Sequence, residues 1–215
     1  MCWNENVSLN TFLFSSFVLL LIMYNNAFTQ YKIKELNNVY IYIFTASVIF
    51  MQLIEFFIWR NLNNKHYNKL FTTIAALLII VQPFVSIMII SNKLIRNIFL
   101  VICSLTIIPY SFYNYSKLNI QSGVSNNGHL DWKFINGTSP LFWAAWFFFF
   151  LISWFYEKKW FIFGILIISI AISYYTYNKY NTFSSMWCWI VNSIMIYYAF
   201  YLLFYLPFNE KGDIC

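Results

Sequence analysis

Apolar residues in this chain fall in long stretches separated by short polar ones. Seven stretches stand out, at 11–28, 39–59, 70–91, 97–113, 140–156, 160–177 and 185–207. A helix rises about 1.5 Å per residue, so about 20 mostly apolar residues cross roughly 30 Å of hydrocarbon. Each stretch is close to that length. Strands of a membrane barrel alternate in polarity over about ten residues. Leu77–Ile80 and Phe147–Leu151 are continuous apolar runs instead. Backbone groups in lipid must bond within their own segment unless a barrel closes, so the pattern predicts helices. The expected fold is all-α, a polytopic bundle of seven transmembrane helices in one domain over 1–215.

The polar intervals are mostly too short for structure of their own. Glu157–Lys159 and Asn92–Arg96 each force an antiparallel helix pair. Segment 114–139 differs: with Gly123, Gly128, Gly137 and Asn126-Asn127, it has the length and turn chemistry of a structured loop.

Composition supports lipid as the solvent. Hydrophobic residues make up 61% and charged residues 9%, against about 25% charged in soluble domains. The net charge is +6, but the cations are scattered over the loops and form no basic face interleaved with aromatics. Nucleic acid is therefore not an expected partner. Arg60, Lys65, Lys69, Lys117, Lys133 and Lys179 fall on the side of the N-terminus, and Lys32, Lys34, Lys93, Arg96, Lys158, Lys159 and Lys211 on the other. The small excess on the second side places the N-terminus on the non-cytoplasmic face. The candidate glycosylation sites at Asn6, Asn114 and Asn136 all fall on the N-terminal side. No basic residue precedes the first stretch, which reads as an uncleaved helix. Trp3, Trp59, Trp143, Trp160, Trp187 and Trp189 lie near predicted helix ends, where amphipathic rings anchor at the headgroups.

Chemistry concentrates in a few intramembrane polar residues. Glu55 lies inside the second stretch, with Gln52 three residues before and Trp59 four after, on one helix face. A carboxylate at such depth is costly and is usually protonated, paired or facing water. It serves either as a proton-, cation- or ligand-binding group or as a structural carboxyl bonded between helices. It also lies close enough to the Arg60 end to reach the interface. Gln82 precedes Pro83 in the third stretch, where proline removes a donor and frees a carbonyl. Pro109 is placed similarly in the fourth. Asn192 is the strongest polar residue of the last stretch, at a depth similar to Glu55. Cys2 and Cys188 fall toward the same side and are the candidate disulfide partners. His66, His129 and Asp131 read as surface loop residues, too few for a metal site.

No nucleophile–base pair, zinc motif or phosphate-cradling loop occurs, so an enzyme is not expected. The last stretch has no lysine for a retinal Schiff base, so no cofactor is expected. Gln82-Pro83 reverses the Pro-Gln order of small seven-helix sugar transporters, and no internal repeat accompanies it.

Four short motifs carry a resemblance. Met1-Cys2-Trp3-Asn4, Gln52-x-x-Glu55-Phe-x-x-Trp59, Gly128-His-Leu-x-Trp132 and Ser185-Met-Trp-Cys-Trp189 together resemble an uncharacterised family of multi-pass membrane proteins of giant DNA viruses and protists. The resemblance implies seven helices, supplies no activity, and points to Glu55 and Trp187–Trp189. The expected function is a small transporter or channel that uses Glu55, with Gln52, Gln82 and Asn192 as neutral ligands of a small ion or molecule and Trp59 and Trp187 beside them. The alternative is a receptor-like or scaffolding membrane protein in which these groups lock the bundle. A water-accessible cavity lined by Glu55 supports the first, and a dry, hydrogen-bonded carboxyl supports the second.

Overall fold

The computed structural model describes residues 4–115 and 120–209, except the side chains of Asn114, Tyr115, Asn136 and Asn209. Four long helices come first: α1 (Glu5–Phe28), α2 (Val39–Arg60), α3 (Lys65–Ile87) and α4 (Lys93–Tyr115). An antiparallel hairpin follows, β1 (Ser122–Val124) with β2 (Leu130–Trp132), in which Ser122 faces Trp132. One turn of helix, α5 (Lys133–Asn136), leads to α6 (Pro140–Tyr156) and α7 (Trp160–Tyr177). The last helical stretch is interrupted. It comprises α8 (Phe183–Asn192), α9 (Ile194–Phe200), a π-helical turn at Tyr201–Tyr205 and α10 (Leu206–Asn209).

Among the described residues, six helices are long and apolar enough to cross a membrane, the last running unbroken in hydropathy from Phe183 to Phe208. α6 is equally apolar but has only 17 residues. This is the build of a multi-pass membrane protein. The outer faces require it: on α4 alone, Leu94, Val101, Leu105 and Phe112 are each 58–79% exposed. Water would not tolerate so many large apolar side chains on one helix.

Asparagine sets where the helices begin. Asn4 Oδ1 accepts from the amides of Asn6 and Val7, and Asn38 from that of Tyr40. Asn64 caps through His66 and Tyr67, and Asn92 through Leu94 and Ile95. Each side chain satisfies orphan N–H groups of a first turn. These caps carry α1, α3 and α4 several residues beyond their apolar stretches.

Long-range bonds tie the connections into two ends. At one end, the Ser91 amide donates to Glu157 at 2.7 Å, and Lys159 Nζ donates to the Glu35 carbonyl at 2.9 Å. Asn26 Oδ1 accepts from the Ile33 amide at 2.7 Å and folds the α1–α2 connection back under its own helix. At the other end, Arg60 pairs with Glu5 at 3.8 Å, and the hairpin docks on α3. There the buried Asn68 makes a reciprocal pair with the Ser122 backbone, both bonds 3.0 Å, while Thr72 and Ser122 hydroxyls meet at 2.9 Å.

Between the ends, small hydroxyls and indoles join the helices. Ser86 on α3 bonds to the Phe150 carbonyl and to Ser153 on α6, at 2.7 and 2.6 Å. Small residues permit such close approach, and their hydroxyls supply the bonds. Pro83 lies inside α3 and cannot donate to the carbonyl four residues back, that of Ile79. The Trp146 indole of α6 donates there instead, at 2.7 Å.

The interruption between α8 and α9 has a local cause. Asn192 Nδ2 donates back to the Cys188 carbonyl at 2.7 Å, and Ser193 Oγ to the Ile190 carbonyl at 2.6 Å. Side chains that capture carbonyls of the preceding turn compete with the helix ladder and bend it.

Candidate functional site

Glu55 lies on α2 five residues before the helix ends at Arg60, about 7 Å along the axis at helical rise. This is the hairpin end of the bundle. Gln52, one turn earlier, donates from Nε2 to Glu55 Oε2 at 2.9 Å. Both side chains are buried, with Glu55 4% exposed. Glu55 Oε1 and Gln52 Oε1 accept no hydrogen bond from the described residues. Nor does Glu55 have an ion-pair partner among them. A charged carboxylate there has one neutral amide donor and no countercharge.

These two oxygens border a small pocket with room for about one water-sized guest. Its other polar walls are Ser8, Ser185 and His129, with Trp59 at the rim. Each wall is placed by a different element. The Asn4 cap starts α1 so that Ser8 falls in its first turns, facing inward. Ser185, in the first turn of α8, donates to the Leu130 carbonyl at 2.8 Å and holds the hairpin against that helix. His129 stands between the hairpin's turn and β2, after Gly128, whose φ of 78° suits a residue without a Cβ.

The hairpin is anchored on α3 by Asn68 and on the α7–α8 connection by two further bonds. Ser125 Oγ donates to the Tyr180 carbonyl at 2.7 Å, and Asn127 Nδ2 to Thr182 Oγ1 at 2.9 Å. His129 is therefore not a surface loop residue. It is 7% exposed, with its ring edge-on to Tyr177 at 5.4 Å. The cause is the docking of the turn, which no local pattern announces. Burial pushes its imidazole below the ordinary histidine range, so the ring is neutral at pH 7. His66 is exposed, but it lies in the first turn of α3 and not in a loop.

The expected neutral ligands separate. Gln82 donates to the Ser47 carbonyl of α2 at 3.4 Å. It lines a different cavity, between Trp146, Trp187 and Cys188. Asn192 gives its amide protons to the Cys188 carbonyl and, at 3.5 Å, to that of Val48. It lines a third cavity, nearer the opposite end, among apolar residues of α2, α7 and α9. Trp187 is no interfacial anchor. It is buried against Trp146, Phe147 and Phe150, and its indole donates to Ser169 at 3.0 Å. Of the residues expected around Glu55, the pocket contains Gln52 and Trp59 and adds Ser8, His129 and Ser185.

Cys188 is a buried thiol, and its candidate partner Cys2 lies outside the described residues. Asn6 is exposed in the first turn of α1. The side chains of Asn114 and Asn136 lie outside the described residues.

No family model, curated protein or solved structure matches this chain.

Proposed function

We propose that this protein is a small transporter or channel that binds a proton or a small monovalent cation at Glu55. The observation that carries this reading is the pair of buried acceptors, Glu55 Oε1 and Gln52 Oε1, without donors among the described residues. Buried oxygens normally find a donor, and leaving one unmade costs about 1–3 kcal/mol. A guest that brings positive charge or protons satisfies both. The Ser8 and Ser185 hydroxyls add hard oxygen ligands of the kind small cations prefer. A pocket lined by the carboxylate favours this reading over a purely structural role.

The scaffolding alternative draws on a different fact. Gln82 and Asn192 give their amide protons to backbone carbonyls, as helix-locking groups do. In the transporter reading these two residues hold α2 against α3 and α8, and the guest is left to Glu55 and Gln52.

Seven spans, with α6 as the shortest, complete the proposed topology. Seventeen residues lie at the lower limit for a crossing. Support comes from the bonds at the two ends of α6. Ser139, its N-cap, accepts from the Leu141 amide and donates its own amide to Tyr110 near the hairpin end of α4. Glu157, just past its C-terminus, holds Ser91 at the opposite end. The hairpin end then faces the non-cytoplasmic side, in line with the slight cation excess of the other end.

Ion flux through liposomes containing the purified protein tests the proposal. Proton or monovalent-cation flux well above that of empty liposomes is expected. Flux no greater than in empty liposomes, for protons and for both sodium and potassium, would reject transport.

A further inference from the structure

At the end opposite the hairpin, the α1–α2 connection and the last helical stretch frame a cavity of about 320 Å³. That volume lies in the range of roughly 300–1,000 Å³ typical of small-molecule sites. One wall carries Lys32, Lys34 and Glu35, and the other Tyr197, Tyr198 and Tyr201. The cavity shares no lining residue with the Glu55 pocket.

The charged wall is held in place by groups other than its own side chains. Buried Asn26 accepts from the Ile33 amide at 2.7 Å and donates to the Ile33 carbonyl at 3.3 Å. Lys159 Nζ holds the Glu35 carbonyl at 2.9 Å. Ile33 and Leu36 are buried and pin the segment to the bundle. Lys32, Lys34 and Glu35 are themselves exposed. None of the three forms an ion pair with the others or with any described residue. Two cations and one anion therefore stand apart on a preorganised frame, available to a guest.

The tyrosine wall is also built. A π-helical turn at Tyr201–Tyr205 begins at the cavity. Such turns are rare and recur at functional sites. Tyr201 stacks between Tyr197 and Tyr205, with ring centroids 5.9 and 5.0 Å apart. Tyr198 is 3% exposed, and its hydroxyl has no partner among the described residues. Phenols add hydrogen-bond donors to the two ammonium groups.

We infer that this cavity binds a phosphate ester of a polyol, such as glycerol phosphate. Lys32 and Lys34 take the phosphate as point charges. Glu35 would repel a bare anion. It calls for a guest with hydroxyl donors beside its phosphate, which the polyol supplies. Two sources offer that chemistry. One is a phosphatidylglycerol headgroup, since tyrosine-bearing helix ends lie at headgroup level. The other is the free ester in solution.

Equilibrium binding of radiolabelled glycerol phosphate to the full protein in phosphatidylcholine nanodiscs tests this. Saturable binding is expected. The double variant Lys32→Gln/Lys34→Gln should weaken it roughly tenfold or more. Its melting temperature should not change, because neither side chain is buried or paired. Glu35→Gln should lower the preference for glycerol phosphate over inorganic phosphate by about threefold or more. Discs containing phosphatidylglycerol are then compared with discs containing equal phosphatidylserine. Weaker tracer binding in the phosphatidylglycerol discs identifies the lipid headgroup as the source, and equal binding identifies the free ester. Absence of saturable binding in phosphatidylcholine discs, or equal binding by the parent and the double variant, would overturn the site. An unchanged preference over inorganic phosphate in Glu35→Gln would overturn the polyol class.

Discussion

Trp146 on α6 donates its indole N–H to the Ile79 carbonyl on α3 at 2.7 Å, and that carbonyl is the one Pro83 leaves without its helical donor. A helix defect in one span thus becomes a specific bond to its neighbour. In hydrocarbon the freed carbonyl has no water to turn to, so the indole secures the α3–α6 contact.

Trp146→Phe should therefore destabilise the protein by about 1–3 kcal/mol, because it strands a buried carbonyl. In a Pro83→Ala background the helix recovers its own donor, and the same substitution should cost less. Reversible unfolding of the parent and the three variants gives the coupling directly. Equal costs in both backgrounds would separate the indole from the proline.

The hairpin over the Glu55 pocket depends on Asn68, whose amide closes a reciprocal pair with Ser122. Asn68→Leu should release residues 120–132 while leaving the helices folded. Hydrogen exchange should show loss of protection in β1 and β2 and little change in α2. Unchanged protection in the strands would mean that Ser125, Asn127 and Ser185 suffice.

His129 gives the hairpin a pH dependence. Its folded-state affinity for protons is lowered by burial, so the undocked or unfolded chain binds the proton more readily. Stability from this residue is complete above the ordinary histidine pKa of about 6.5 and declines as pH falls below it. The melting temperature should drop between pH 7 and pH 5.5 more in the parent than in His129→Gln. Parallel pH profiles for the two proteins would remove His129 as the cause.

The sequence makes the lipid-crossing segments readable, because the spacing and length of apolar stretches answer directly to bilayer thickness. It also marks Pro83 as the source of a free carbonyl. The partner, Trp146, is 67 residues away and is chosen by packing. Depth in the sequence relates Asn192 to Glu55, and neighbouring helices relate Gln82 to it. Depth does not fix which way a side chain points around its helix, and the three residues open onto three cavities. The abundant asparagines look like compositional bias, yet Asn4, Asn38, Asn64 and Asn92 each cap a helix. Asn38 immediately precedes its apolar run, but Asn4, Asn64 and Asn92 stand several residues ahead of theirs, where the apolar pattern gives no sign of a helix start. His129 and Ser185 both fall within the quoted short motifs, but only the docked hairpin brings them to Glu55.

Glu55→Leu should destabilise the protein by about 1–3 kcal/mol, since the buried Gln52 amide loses its acceptor. Glu55→Gln keeps a side-chain oxygen for that amide and should fold with a melting temperature close to the parent's. A Glu55→Leu protein as stable as the parent would show that the Gln52 bond contributes nothing.

That contrast makes Glu55→Gln the variant for the central claim. Parent and Glu55→Gln proteins, reconstituted at equal density, are compared for proton and monovalent-cation flux under an imposed gradient. The account predicts flux in the parent and its loss, by at least tenfold, in the folded Glu55→Gln protein. Equal flux in the two would contradict a role for this carboxylate.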